Sequence, residues 1–178
     1  MSDATKVWTN FHLTAVKDSY PLWPVEVMLK IIFGDYLKKK ISILPGMKVL
    51  DVGCGFGNNL LPFLLKGAKG YGVEISDEIA ELAKKIISER GFPDIDVRKG
   101  SNSSLPFEDG FFDLIISNNV IHYQGTEENI LQGFEEYSRV LKPNGSLFLM
   151  TVGPEHEIYT RAAPLGNHRY EIQNYDFR

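Results

Sequence analysis

The stretch Val49–Asn59, VLDVGCGFGNN, decides how the rest of the chain is read. Lys48 to Val52 is a short, mostly apolar run carrying one acid, Asp51, and it stops at Gly53, Gly55 and Gly57. An apolar run bounded in this way reads as a buried β-strand, and the alternating glycines read as a tight turn where a ligand can approach the backbone closely. Leu60, Leu61, Leu64 and Leu65 follow at helical spacing, with Pro62 tolerable only near the helix start.

The same alternation continues in both directions. Upstream, Val25, Met28, Leu29, Ile32 and Tyr36 predict an amphipathic helix within residues 22–41, ending before Pro45-Gly46. Lys38-Lys39-Lys40 would then be its solvated end, where cations suit the helix dipole. Downstream, Tyr71–Ile75 reads as a second strand, and Ser76 as the N-cap of a helix carrying Ile79, Leu82, Ala83, Ile86 and Ile87 up to Gly91. Asp94–Lys99 is a more polar third strand, expected at an edge. Phe112–Ser117 is a fourth, apolar enough to be covered on both faces. Thr126 caps a helix with Ile130, Phe134, Tyr137 and Leu141 on one face, Lys142–Gly145 makes a turn, and Ser146–Val152 is a fifth strand. No two neighbouring strands are joined by a hairpin-length turn. The pattern predicts an α/β fold: a doubly wound, mainly parallel sheet with ligands at the C-terminal strand ends.

The totals narrow the function. At 178 residues the chain suits one domain with a single sizeable core. It divides into an N-terminal helical or lid segment (1–46), a ligand-binding core (47–152) and a short C-terminal segment (153–178). A net charge of −4 argues against a general nucleic-acid binder. One cysteine, Cys54, rules out an intrachain disulfide and a cysteine-based zinc cluster. His156-Glu157 lacks the second histidine of a zinc helix, so no metal is expected. There is no apolar run of membrane-spanning length and no signal-like N-terminus, which makes a cytoplasmic location the expectation.

Three ligand classes bind glycine turns of this kind. A triphosphate loop needs a lysine and a hydroxyl after the glycines, where this chain has Asn58 and Asn59. A dinucleotide fingerprint from Gly53 would place its third glycine at Asn58, one residue after Gly57. Asp51 suits a cationic group better than a phosphate. Glu74, about twenty residues on, closes the second strand where a carboxylate can accept both hydroxyls of a ribose.

Four blocks, VLDVGCGFGNN, YGVEIS, GSNSSLPFEDGFFDLIISNNVIHY and EEYSRVLKPNGSLFLM, together resemble the class I S-adenosylmethionine-dependent methyltransferases, in particular the group acting on small molecules. The resemblance runs from about Met47 to Val152 and implies a three-layer Rossmann-like sheet of order 3-2-1-4-5. It implies that Asp51, with the backbone of Gly53, Cys54 and Gly55 in the turn that Gly57 completes, holds the methionine moiety. Glu74 would take the ribose and Ile75 would pack on the adenine. Ser101 and Asn102 stand where the family commonly has an aspartate and a small residue at the adenine edge. Ser117, Asn118 and Asn119 would line the methionine end and the methyl-transfer gap. The family's fold continues into an antiparallel pair of edge strands; with 26 residues after Val152 (178 − 152), those strands are expected to be missing here.

Methyl transfer from a sulfonium is an in-line displacement, so the protein mainly orients the reactants, and a base is needed only for an acceptor that carries its proton. His122 is the candidate base, and Tyr123 the candidate for shaping the acceptor pocket. Trp8, Phe11, Tyr20 and Trp23, with Pro21 and Pro24, form an aromatic segment that reads as a lid or as packing against the sheet. Arg161 could pair with an acidic acceptor or with the cofactor's carboxylate. The expected partner is a small-molecule acceptor, with neither nucleic acid nor membrane. A cofactor-binding regulatory subunit without catalysis, and a nicotinamide-dependent oxidoreductase, are the competing readings.

Overall fold

A computed structural model describes residues 6, 9–14, 23–38, 40–153, 156, 163–166 and 169–171. In chain order these form α1 (Glu26–Phe33), β1 (Lys48–Val52), α2 (Leu61–Leu64), β2 (Lys69–Glu74), α3 (Asp77–Glu89), β3 (Asp96–Lys99), β4 (Phe112–Asn118), a 3-10 turn (Ile121–Gln124), α4 (Glu127–Val140), β5 (Leu141–Met150), β6 (Ala163–Gly166) and β7 (Arg169–Glu171). Residues 9–14 are also helical. Strands β1–β5 make one sheet of order β3-β2-β1-β4-β5, and every pairing in it is parallel.

Alternation along the central strands explains the three layers. Val49, Leu114 and Ile116 point to one face and pack with Met28 and Ile32 of α1, Phe63 of α2, and Ala80, Ala83 and Ile87 of α3. Leu50, Val52, Val73 and Ile115 point to the other face and pack with Tyr137 and Val140 of α4. Both faces of the sheet are therefore covered, as an all-parallel sheet requires.

The helix starts follow their caps. The Ser76 hydroxyl accepts the Ile79 amide (3.3 Å), and the Thr126 hydroxyl accepts the Asn129 amide (3.2 Å). Each first turn carries two acids, Asp77 and Glu78 or Glu127 and Glu128, which suit the positive end of the dipole.

Several boundaries differ from the sequence expectation. α1 occupies only Glu26–Phe33 of the expected 22–41, because Gly34 closes its last turn on Lys30 (3.1 Å) and then turns extended. A β-carbon at Gly34 would lie 2.3 Å from the Lys30 carbonyl oxygen, so only glycine fits this exit. Lys38 and Lys40 therefore lie beyond the helix, and Lys39 falls outside the described residues. Of the four leucines expected on the inner face around α2, Leu60 and Leu64 are buried and Leu61 packs beside them, while Leu65 is 76% exposed and Phe63 fills the core instead.

Residues 142–145, expected as a free turn, bulge out of β5. Leu141 pairs with Phe112 and Ser146 with Leu114, with Asn144 in the left-handed region at φ 65°. β6 and β7 pair with each other as a separate two-stranded antiparallel sheet, and among the described residues neither extends the five-stranded sheet as the family's edge strands would.

One close contact ties β2 to the glycine turn. A β-carbon on Gly72 would lie 2.6 Å from Cys54 Sγ and 3.1 Å from Val97 Cγ1. Gly72→Ala should destabilise the fold by about 1–3 kcal/mol in chemical denaturation, and adding Cys54→Ala should recover part of that loss.

Candidate functional site at the strand tips

Register and alternation bring three polar side chains to one face. Asp51 of β1 is level with Gly72 of β2 and Ile116 of β4, so these three share a face of the sheet. Glu74 and Asn118 lie two residues further along β2 and β4, on that same face and at the C-terminal ends of their strands. This is where doubly wound sheets bind ligands.

The loop after β1 is shaped by its glycines. Gly53, Gly55 and Gly57 have φ of 68°, 53° and 72°, a region that side-chain-bearing residues rarely adopt. Gly53 and Cys54 both send their amides to the Val73 carbonyl (2.8 and 3.3 Å), and Gly57 sends its amide back to Cys54 (2.8 Å). A β-carbon on Gly57 would lie 2.1 Å from Ile87 Cδ1, so α3 packs directly on the turn. Cys54 is buried, and burial pushes its thiol well above the ordinary range, so it stays protonated and inert.

Asp51 is 1% exposed, and neither carboxylate oxygen has a hydrogen-bond partner. Burial first, and then the charge of Glu74, push its pKa well above the usual carboxylate value. Asn118 Oδ1 is also buried without a partner. Buried polar atoms are nearly always paired, so three orphaned acceptor atoms on two adjacent strand tips mark a place for a donor-rich or cationic group.

Glu74 is buried too, but its oxygens are occupied. Oε1 accepts the Gly55 amide (2.6 Å) and Oε2 accepts its neighbour Ile75's amide (3.1 Å). Burial raises its pKa, while the Gly55 amide and then the charge of His12 pull it down. Each carboxylate oxygen has a second lone pair, so these bonds leave room for two hydroxyl donors.

His12 was not singled out from the sequence. The helical segment 9–14 lies across the glycine turn: the His12 ring meets the Phe56 ring edge-on at 5.0 Å, and a β-carbon on Gly55 would lie 3.1 Å from His12 Nε2. Thr9 Oγ1 donates to Ser76 Oγ (3.1 Å), just past Glu74. The only sequence signal was the general aromatic character of this region. Phe11 sits beside His12 in this cover, Trp23 is 80% exposed, and Trp8, Tyr20 and Pro21 lie outside the described residues, as does Arg161.

The other predicted residues divide. Ile75 and Tyr123 are about two-fifths exposed, as ligand-facing residues can be. His122 Nδ1 is 2.9 Å from Thr151 Oγ1, and its ring lies 4.1 Å from that of Tyr123. Burial and the nearby His156 lower the His122 pKa, so its imidazole is neutral at pH 7. Ser117 and Asn102, by contrast, turn into the core, where both bond the Tyr137 hydroxyl. Any contact they make with a ligand falls to their backbone. Ser117 is one residue out of phase with Asn118, which puts its side chain on the α4 face. Ser101 pairs with Ser104 across a tight loop after β3 (3.2 and 3.1 Å). Asn119 follows β4 with φ 56° and donates its amide to Met150.

Among the described residues no group of three His, Cys, Asp or Glu could hold a metal ion, and no helix is long and apolar enough to cross a membrane.

Residues 50–149, more than half of the chain and including Asp51, the glycine turn, Glu74 and Asn118, match the family described as Methyltransferase domain. The chain belongs to that family. It is 31% identical over 58% of its length to the uncharacterized methyltransferase YcgJ of Bacillus subtilis, covering 40% of that protein. The solved YcgJ structure superposes with a TM-score of 0.53 at 29% identity, over 60% of this chain and 45% of the other. It is 34% identical over 73% of its length to the mouse protein named "Probable tRNA methyltransferase 9B", covering 25% of it. It is 30% identical over 71% of its length to the demethylmenaquinone methyltransferase of Lactococcus lactis, covering 51% of it. The chain thus spans between a quarter and about half of these relatives. The family implies S-adenosylmethionine as methyl donor, and the chemistry of the strand tips fits that molecule: the unpartnered acceptors could take an ammonium group, and the strand-end carboxylate could accept two hydroxyls.

Asp51 gives the site a pH signature. Its folded pKa lies above the unfolded value, so the folded chain holds the proton longer, and stability falls as pH rises from the unfolded value through the folded one. Asp51→Asn should therefore melt higher than wild type at neutral pH, with a gap that grows with pH across that window, while losing affinity for a cationic ligand. A lower-melting Asp51→Asn would show that the carboxylate is a structural ion instead.

Proposed function

We propose that the protein is an S-adenosylmethionine-dependent methyltransferase acting on a small-molecule acceptor. The observation that carries this reading is the set of buried, partnerless acceptor atoms on Asp51 and Asn118 beside the glycine turn. In this reading Asp51 and Asn118, with the turn from Gly53 to Gly57, hold the amino-acid end. Glu74 holds the ribose, and Ile75 covers one face of the base. The bound cofactor supplies an electrophilic methyl group on a sulfonium.

The remaining work falls to this chain. Segment 9–14 covers the turn and keeps water from it, with His12 and Phe56 in ring contact. His122 is neutral and half-buried beyond the β4 tip, with Thr151 fixing one ring nitrogen. Such an imidazole can take a proton from a hydroxyl or ammonium acceptor as it is methylated. Tyr123, partly exposed beside it, shapes the acceptor pocket.

A small acceptor is favoured over a nucleic acid by the net charge of −4. The demethylmenaquinone relative is named for a small acceptor, whereas the mouse relative is named for tRNA.

Calorimetry should detect binding of S-adenosylmethionine and of its demethylated product, with no binding of NAD. Glu74→Gln should weaken the interaction about tenfold or more while the protein stays folded, since charge-assisted hydrogen bonds are lost. Transfer of a tritiated methyl group to a metabolite library, with tRNA as the competing arm, then separates the acceptor classes. Labelling of tRNA alone would refute the small-molecule assignment. For a protonated acceptor, the rate should rise with pH through a His122 value below the usual 6.5, and His122→Gln should remove that limb.

A further inference from the structure

Tyr137 lies in α4, on the face of the sheet away from the ligand-bearing side chains, and is 1% exposed. Its hydroxyl joins two distant segments. It donates to Asn102 Oδ1 in the loop after β3, and it lies 2.9 Å from Ser117 Oγ near the tip of β4. A phenol has one proton. Since that proton goes to Asn102, Ser117 must be the donor to Tyr137. Asn102 and Ser117 are themselves 3% and 0% exposed, so the three groups form a buried chain of hydrogen bonds.

The two ends of this chain are the two ends of the site. Along the strand tips the order is β3, β2, β1, β4. If Asp51 on β1 and Asn118 on β4 hold the amino-acid end and Glu74 on β2 holds the ribose, the base must extend toward β3. The loop after β3 begins beside Glu74: Gly100 donates its amide to the Glu74 carbonyl (2.8 Å), and Ser101–Ser104 close on themselves immediately after. Its anchor is Asn102, and the anchor of Asn102 is Tyr137. Ser117, the other partner, immediately precedes Asn118. One buried hydroxyl thus spans the site from beneath, from the base-side loop to the amino-acid-side strand.

We infer that Tyr137 is a positioning residue that sets the spacing between the base-binding loop and the β4 tip, and so governs affinity for the nucleoside without touching it. This rests on the cofactor reading above. Asn102 is accordingly a structural anchor, and recognition of the base edge falls to the backbone of Ser101–Ser104.

The test is calorimetric binding of S-adenosylhomocysteine and its inosine counterpart to wild type, Tyr137→Phe, Asn102→Ala and the double variant, with melting curves for each. Tyr137→Phe should stay folded and bind S-adenosylhomocysteine about tenfold more weakly, because it unties the base-side loop from β4 and leaves Asn102 Oδ1 and the Ser117 hydroxyl buried and unpaired. Its preference for the adenine form over the inosine form should shrink. The double variant breaks the same tie, so it should bind about as weakly as Tyr137→Phe alone, the two substitutions being non-additive. If Tyr137→Phe binds as wild type does, or if the losses of the two single variants add in the double, the positioning role is refuted. If wild type binds neither nucleoside, the cofactor reading falls and takes this inference with it.

Discussion

The organising constraint is a carboxylate with no partner. Asp51 is sealed between β2 and β4, at the point where β1 gives way to the glycine turn, and both its oxygens lack donors. A buried acid in that state disfavours its own ionisation, and Glu74 nearby deepens the effect. An ordinary core would place an aliphatic residue at this position. The fold tolerates Asp51 because the surrounding strands are packed on both faces, and the unmet acceptors become useful when a cation arrives. Local cost at a binding site supported by a well-packed scaffold is the pattern expected of functional positions.

The scaffold's role is to hold the gap open at a fixed size. Gly72 lets Cys54 Sγ sit against β2, and Gly57 lets Ile87 of α3 press on the turn. These two contacts fix the turn from both sides, with the Gly53 and Cys54 amides bonded to Val73. The Gly55 amide meanwhile holds Glu74 in its strand-end pose. Backbone amides, not side chains, thus set the distance between the two acids. The N-terminal helical segment adds an outer wall through His12 and Thr9.

Much of this was legible in the sequence. Period-two and period-3.6 patterns, two hydroxyl caps and the glycine stops located five strands, because these signals are local, while their order in the sheet came from the family resemblance. Asp51 and Glu74 were legible because their spacing from the glycine turn is a property of the βαβ unit. Four features were not. The exit of α1 depends on a close carbonyl at Gly34, the direction of Ser117 depends on strand phase, and the position of His12 depends on a tertiary contact made across more than forty residues. The Tyr137 chain is the clearest case: Asn102 reads as a ligand-facing residue until the residue opposite it is known. A hydrogen bond between residues 35 apart leaves no local pattern.

The most direct check of the central claim is a crystal structure of the protein with S-adenosylhomocysteine. The account predicts the ligand's amino group within hydrogen-bonding distance of Asp51, its ribose hydroxyls on Glu74, and its base over the loop that follows β3. A ligand bound elsewhere, or one whose carboxylate rather than its amino group faces Asp51, would contradict it.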